Sequence, residues 1–348
     1  MGDLSPLLPE RHPQKDFFIA DIFDSLPFKD DLASMEYPLF TLSTKPDNRI
    51  LNYTNGPVSI EIQHSAWGLP TIFDKDVLLY CGSQLMERIN RGETPYKTMR
   101  VSLHDLLVAT NRSTGGRDYE LIKKSINRLT GSLIKTNIKT GSFRKEGYFH
   151  LLESAQFIES ERVKGRLVAM EITLSDWYYH SIIARQVLTI DRDYFRLRKS
   201  IDRRLYEIAR KHCGGKERWS VQLDTLLDKS GSRDVLKKFR AAVKALEQED
   251  HLPEYRVQYD REKDQVTFIN REPMTKSDGQ ASQQNEIDLS PAEIPPELAE
   301  EGRALCGNED VYALWAEWQA WNLNKKDGSK LRDWQRAFLG FCRKRTSR

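Results

Sequence analysis

Residues 99–129 read MRVSLHDLLVATNRSTGGRDYELIKKSINRL, and their punctuation decides the fold. Residues 99–103 suit a short strand. Ser102 with Asp105 three residues on marks a helix start, because a serine hydroxyl accepts a free backbone N–H and an acid suits the positive end of the helix dipole. Leu103, Leu106 and Leu107 form the apolar side of that short helix. Residues 111–116, Asn-Arg-Ser-Thr-Gly-Gly, make a turn, and a second helix follows over 117–129. Beyond it, residues 132–140, 148–157 and 167–174 suit strands. Helix, turn, helix and then a long β-hairpin is the order of a winged helix.

The same order returns further along. Residues 194–213 predict a long helix with Leu197, Ile201, Leu205 and Ile208 on one face. Residues 221–227 make a short helix, 230–232 a turn and 233–247 a second helix. A hairpin over 255–259 and 265–270 closes the unit. Each second helix opens with Arg-Asp (Arg117-Asp118, Arg233-Asp234) and closes with Leu129 or Leu246, so the architecture repeats although the sequence does not. The expected fold class is α+β, with tandem winged-helix domains over 61–190 and 191–271. A helical pattern through Val77, Leu78, Leu79, Leu85, Met86 and Ile89 opens the first domain. Residues 1–60, with short apolar runs such as Phe17-Phe18-Ile19 and Ile22-Phe23, are expected to form an extended N-terminal arm with a few docked segments. Residues 272–309, rich in Ser, Gln, Glu and Pro, suit a flexible acidic linker. A small basic, aromatic helical module is expected over 310–348.

A helix that reads DNA must bury one face and offer the other to phosphates and base edges. Ile122, Ile126 and Leu129 share one face of the first such helix, and Arg117, Lys123, Lys124, Asn127 and Arg128 cover the opposite arc. In the second, Leu236, Phe239, Val243 and Leu246 face inward, while Arg233, Lys237, Lys238, Arg240 and Lys244 crowd the polar flank. Arg196, Lys199, Arg203 and Arg210 add a stripe on the helix over 194–211. Any one of these faces reads equally well as solvated surface. Three together, two of them at equivalent places in a repeat, favour a polyanion.

Local charge agrees. Residues 91–145 carry 12 Lys and Arg against 4 Asp and Glu, and 192–244 carry 16 against 7. Residues 245–310 carry 6 against 17, so the chain's net charge of +3 hides strong local fields. Cys81, Cys213, Cys306 and Cys342 have no regular spacing, which suits reduced thiols in the cytoplasm. No long apolar run calls for a membrane, and no catalytic, metal or cofactor signature stands out. His212-Cys213-Gly214-Gly215 suits a helix end with glycine caps, and Gly214-Gly215-Lys216 lacks the rest of a phosphate loop. Tyr178-Tyr179-His180 follows Trp177 in an aromatic run that suits a core.

Several N-terminal phrases resemble the plasmid replication initiator protein A family. They are Ser5-Pro6-Leu7-Leu8-Pro9-Glu10-Arg11-His12-Pro13 with Asp16-Phe17-Phe18, Met35-Glu36-Tyr37-Pro38-Leu39-Phe40, Leu42-Ser43-Thr44-Lys45-Pro46-Asp47, and Thr71-Ile72-Phe73-Asp74-Lys75-Asp76. The likeness runs over about residues 5–272. It implies tandem winged helices that bind repeated origin sites, or iterons, with homodimers that repress and monomers that initiate. The tail, Leu314-Trp315-Ala316-Glu317-Trp318 and Asp333-Trp334-Gln335-Arg336-Ala337-Phe338, resembles the C-terminal module of phage and primosomal replication proteins. There Trp315, Trp318, Trp334, Phe338, Arg332 and Arg336 either contact single-stranded DNA or the host replicative helicase, or simply pack and dimerise. The expected function is a non-enzymatic plasmid replication initiator that binds duplex origin DNA, with a transcriptional repressor or regulator as the rival.

Overall fold

A computed structural model describes residues 5–12, 28–56, 58–138, 147–159, 167–273, 294, 296–306, 311–323 and 334–346. The runs at Phe17–Ile19 and Ile22–Phe23 and most of the predicted linker lie outside the described residues. The chain divides into two compact units, Met1–Pro273 and Met274–Arg348.

The first unit opens with β1 (Phe28–Asp31), α1 (Leu32–Glu36), β2 (Leu51–Asn55), β3 (Val58–Gln63) and α2 (Lys75–Asn90). There follow β4 (Thr98–Ser102), α3 (Leu103–Ala109), α4 (Gly116–Gly131), β5 (Leu133–Thr136), β6 (Gly147–Phe149), β7 (Leu152–Glu159) and β8 (Leu167–Leu174). Then come α5 (Asp176–Ile183), β9 (Val187–Ile190), a 3-10 turn (Arg192–Arg196) and α6 (Ser200–His212). The unit ends with β10 (Arg218–Gln222), α7 (Leu223–Ser230), α8 (Leu236–Glu249), β11 (Tyr255–Asp260) and β12 (Gln265–Asn270).

The repeat seen in sequence is a repeat of topology. Strand, two helices and hairpin recur as β4-α3-α4-β7-β8 and β10-α7-α8-β11-β12. Both three-stranded sheets place the last strand in the middle, in the orders β4-β8-β7 and β10-β12-β11. Ser102 begins α3 as expected, its hydroxyl accepting from the Asp105 N–H at 3.3 Å. The helix α7 ends at Gly231 with φ +66°, and a Cβ there would stand 2.4 Å from Pro38 Cβ, so backbone and packing both require glycine.

Several expectations need correction. The strand after α4 does not enter the hairpin. Instead β5 joins a second sheet of order β2-β3-β5-β6, where Ile62 faces Ile134 and both are fully buried. The predicted arm therefore supplies structure, since β2 lies in that sheet and β1 pairs with β9. The long helix over 194–213 is broken, because Leu197 turns extended and residues 196–197 bond to Leu7 and Leu8; the Leu8 N–H donates to Arg196 O at 2.7 Å. In the second repeat, α8 starts at Leu236 instead of 233, with Val235 extended at its cap. One continuous apolar cluster runs from Met35 to Phe268 and serves both repeats.

The second unit has three described helices, α9 (Pro296–Cys306), α10 (Val311–Leu323) and α11 (Trp334–Thr346). Its core joins Ile294, Leu298, Ala299 and Cys306 to Val311, Leu314, Trp315, Trp318, Phe338 and Cys342. Residues 294 and 296–306, expected in the linker, thus belong to the tail, since their apolar side chains complete its core. Among the described residues no helix is long and apolar enough to cross a membrane.

Candidate nucleic-acid interface

The helix α4 buries Ile122, Ser125, Ile126 and Leu129 and turns Arg117 and Lys124 fully outward. Lys123 is half-exposed and bonds to Glu120 at 2.8 Å, and Asn127 is half-buried beside it. Arg128 departs from the expectation. Its guanidinium grips both oxygens of Asp74 at 2.6 Å, and the same carboxylate, 1% exposed, accepts from the Ser125 hydroxyl at 2.6 Å. A buried carboxylate is tolerated only with such partners. Arg128 is an internal brace, its guanidinium committed to Asp74.

The helix α8 buries Phe239, Val243 and Leu246. Lys237 is exposed, and Lys238, 73% exposed, bonds to Asp234 at 2.6 Å. Arg233 is 58% exposed and stands 3.6 Å from Asp47. Lys244 lies over the Tyr259 ring at 5.4 Å. Arg240 instead pins the hairpin to the helix, bonding Asp264 at 2.7 Å and the Tyr259 hydroxyl at 2.9 Å. Its guanidinium holds the Asp264 carboxyl below the usual range, with the Tyr259 hydroxyl adding to the effect. Among the described residues no carboxylate pairs with Arg117, Lys124 or Lys237.

The expected stripe over 194–211 is mostly committed to partners within the fold. Arg203 is 3% exposed, bonds Asp76 at 2.6 Å and stacks between the Phe73 and Tyr194 rings. Arg210 donates to Thr189 O at 2.6 Å, and Arg196 donates to Leu8 O at 2.9 Å. Lys199 remains half-exposed, 3.0 Å from Glu249. For Arg203 the reason is the charge beneath it. Asp74, Lys75 and Asp76 open α2 in the interior, and each needs a counter-charge there. Asp76 takes Arg112 at 2.7 Å as well as Arg203. Lys75 takes Glu207 at 3.0 Å with both side chains 1% exposed, and Glu207 also takes Arg204 at 3.1 Å and the Tyr194 hydroxyl at 2.7 Å. The sequence reading used Asp74-Lys75-Asp76 only as a family phrase. Three alternating charges directly before the apolar run Val77-Leu78-Leu79-Tyr80-Cys81 are the signal that points to these buried pairs.

The tail aromatics are also accounted for internally. Trp315, Trp318 and Phe338 are at most 3% exposed, with the two indoles stacked at 5.2 Å and Phe338 edge-on to Trp315 at 4.9 Å. They cannot present a stacking surface, because each is the others' packing partner. Arg332 lies outside the described residues, and of Trp334 and Arg336 only the helical backbone is described. Among the described residues no group of His, Cys, Asp and Glu could hold a metal.

Two solved structures of domains 2 and 3 of RctB align over 67% of the chain and 94–95% of their own length, at TM-score 0.47 and 13–15% identity. A protein of Wigglesworthia glossinidia brevipalpis described as "Putative replication protein" is 38% identical over 259 residues, 74% of this chain and 94% of that protein. The pattern of the family described as Replication initiator protein A matches residues 29–257. The chain belongs to the replication initiator protein A family.

Proposed function

We propose that the protein initiates plasmid replication in the cytoplasm by binding, not catalysis. Its two topological repeats act as winged-helix readers of repeated duplex sites. The observation that carries this reading is that α4 and α8, the second helices of the two repeats, turn outward Arg117, Lys124 and Lys237, which no described carboxylate neutralises. Phosphates are their natural counter-ions. The tail, a compact unit with its own core, is proposed to recruit a host replication protein through its surface, its described tryptophans being committed to packing.

The test is duplex binding to DNA flanking the protein's own gene, measured against salt. With about five phosphates neutralised by Arg117, Lys124, Arg233, Lys237 and their neighbours, the log–log slope is expected near −4 to −5. A slope near −1 would mean that these faces do not meet DNA. Melting of adjacent duplex on binding separates an initiator from a regulator that uses the same two faces.

A further inference from the structure

Val235 is the most exposed large apolar side chain among the described residues, at 70%. It occupies the N-cap of α8 with φ −62° and ψ 149°, and makes no side-chain cap. Valine is among the poorest residues for that position, where Ser, Asp, Asn or Thr would accept a free N–H. Asp31, Ser102 and Ser175 accept from the helices they begin, and although Asp74, Gly115, Lys199 and Gln222 make no side-chain cap either, Val235 is the one apolar residue among these eight N-caps. Val235 therefore gives up a cap and gains no burial. Local rules broken with no gain in the fold are expected where a residue serves a ligand. The neighbours say which ligand. Arg233, Lys237 and Lys238 beside it are exposed, and Lys237 has no described carboxylate partner, whereas Arg233 stands 3.6 Å from Asp47 and Lys238 pairs with Asp234; the partner this favours is a polyanion that also carries an apolar spot.

Resting on the reading of α8 as a duplex-reading helix, we infer that Val235 is a specificity-determining residue that packs against the 5-methyl group of a thymine in the major groove. The first turn of a recognition helix is where base edges are reached, and the thymine methyl is the one apolar group displayed there. The flanking cations hold phosphates on either side and give no sequence preference. Val235 supplies the preference.

The experiment takes a duplex selected by the full-length protein from a random pool and replaces each thymine singly by uracil, which removes only the methyl. The wild-type protein should bind about three- to tenfold more weakly when one thymine in the α8 half of the site is replaced. Val235→Ser should bind the thymine duplex more weakly by a similar factor and be indifferent to that uracil. The same variant should melt at a slightly higher temperature, because serine restores the cap; a valine with a purely structural role would not separate stability from affinity in this way. Indifference of the wild-type protein to every uracil, while Lys237→Ala still weakens binding, overturns the role of Val235 and leaves the helix face standing. If Arg117→Ala and Lys237→Ala both bind as wild type, the helix-face reading falls and the valine contact with it.

Discussion

At the residue scale, burial separates two classes of arginine. Arg203 and Arg112 flank Asp76, which is 1% exposed, whereas Arg117 stands in solvent. Asp76→Ala would leave two buried guanidinium groups without their carboxylate, a loss of about 3–5 kcal/mol of stability. Arg117→Ala should stay within about 0.5 kcal/mol of wild type, as exposed substitutions do, while weakening DNA binding. Urea denaturation of both variants beside a binding titration checks this; a stable Asp76→Ala protein would contradict it. Glu36 makes a second residue-level prediction. The facing His212 ring, 3.1 Å away, and then the Lys229 ammonium at 2.7 Å hold its carboxyl at about 2, against an ordinary value of 4.5. A depressed carboxyl contributes its stability in full above the unfolded value and loses it as pH falls towards the folded one. Wild type should therefore lose stability between about pH 4.5 and 2 more steeply than Glu36→Gln. Parallel acid titrations of the two proteins would refute the pairing.

At the scale of the element, α4 and α8 are, on the proposed reading, two readers with different supports. The first is braced by Arg128 on Asp74, the second by Arg240 across to Asp264 on its own hairpin. Two readers on one duplex face should sit about one helical turn apart, covering roughly 20 bp. Arg117→Ala and Lys124→Ala should thin one half of a hydroxyl-radical footprint, and Lys237→Ala with Arg233→Ala the other. Protection lost at the same base pairs from both pairs of variants would exclude a tandem arrangement. Arg128→Ala, by contrast, should lower stability and thin no particular half, because its guanidinium is spent on Asp74.

At the scale of the whole molecule, the proposed function divides the work between the two compact units. A chain ending at Pro273 keeps the apolar cluster from Met35 to Phe268 and every outward cation of α4 and α8. It should keep wild-type Kd for duplex DNA and fail to maintain its plasmid. A truncated protein that sustains normal copy number would show the tail to be dispensable. Within the tail, Trp318→Ala removes a fully buried indole, and a loss of about 3–5 kcal/mol is expected, read as loss of cooperative melting of that unit.

Periodicity and turn chemistry, both local, were enough to determine the repeated order of helix, turn, helix and hairpin, the cap at Ser102, and the apolar faces through Ile122, Ile126 and Leu129 and through Phe239, Val243 and Leu246. The family was legible for the same reason, in short phrases such as Asp74-Lys75-Asp76. Which cations face outward was not. Arg117 and Arg128 fall on neighbouring arcs of one helix, yet Asp74, 54 residues upstream, claims only Arg128. Arg203 is claimed from 127 residues away by Asp76. Likewise, a tryptophan pattern is the same whether its rings face solvent or, like Trp315 and Trp318, face Phe338. A helical wheel records which side of an element is apolar; the partner that neutralises a charge or covers a ring comes from another part of the chain, and only the tertiary structure brings it there.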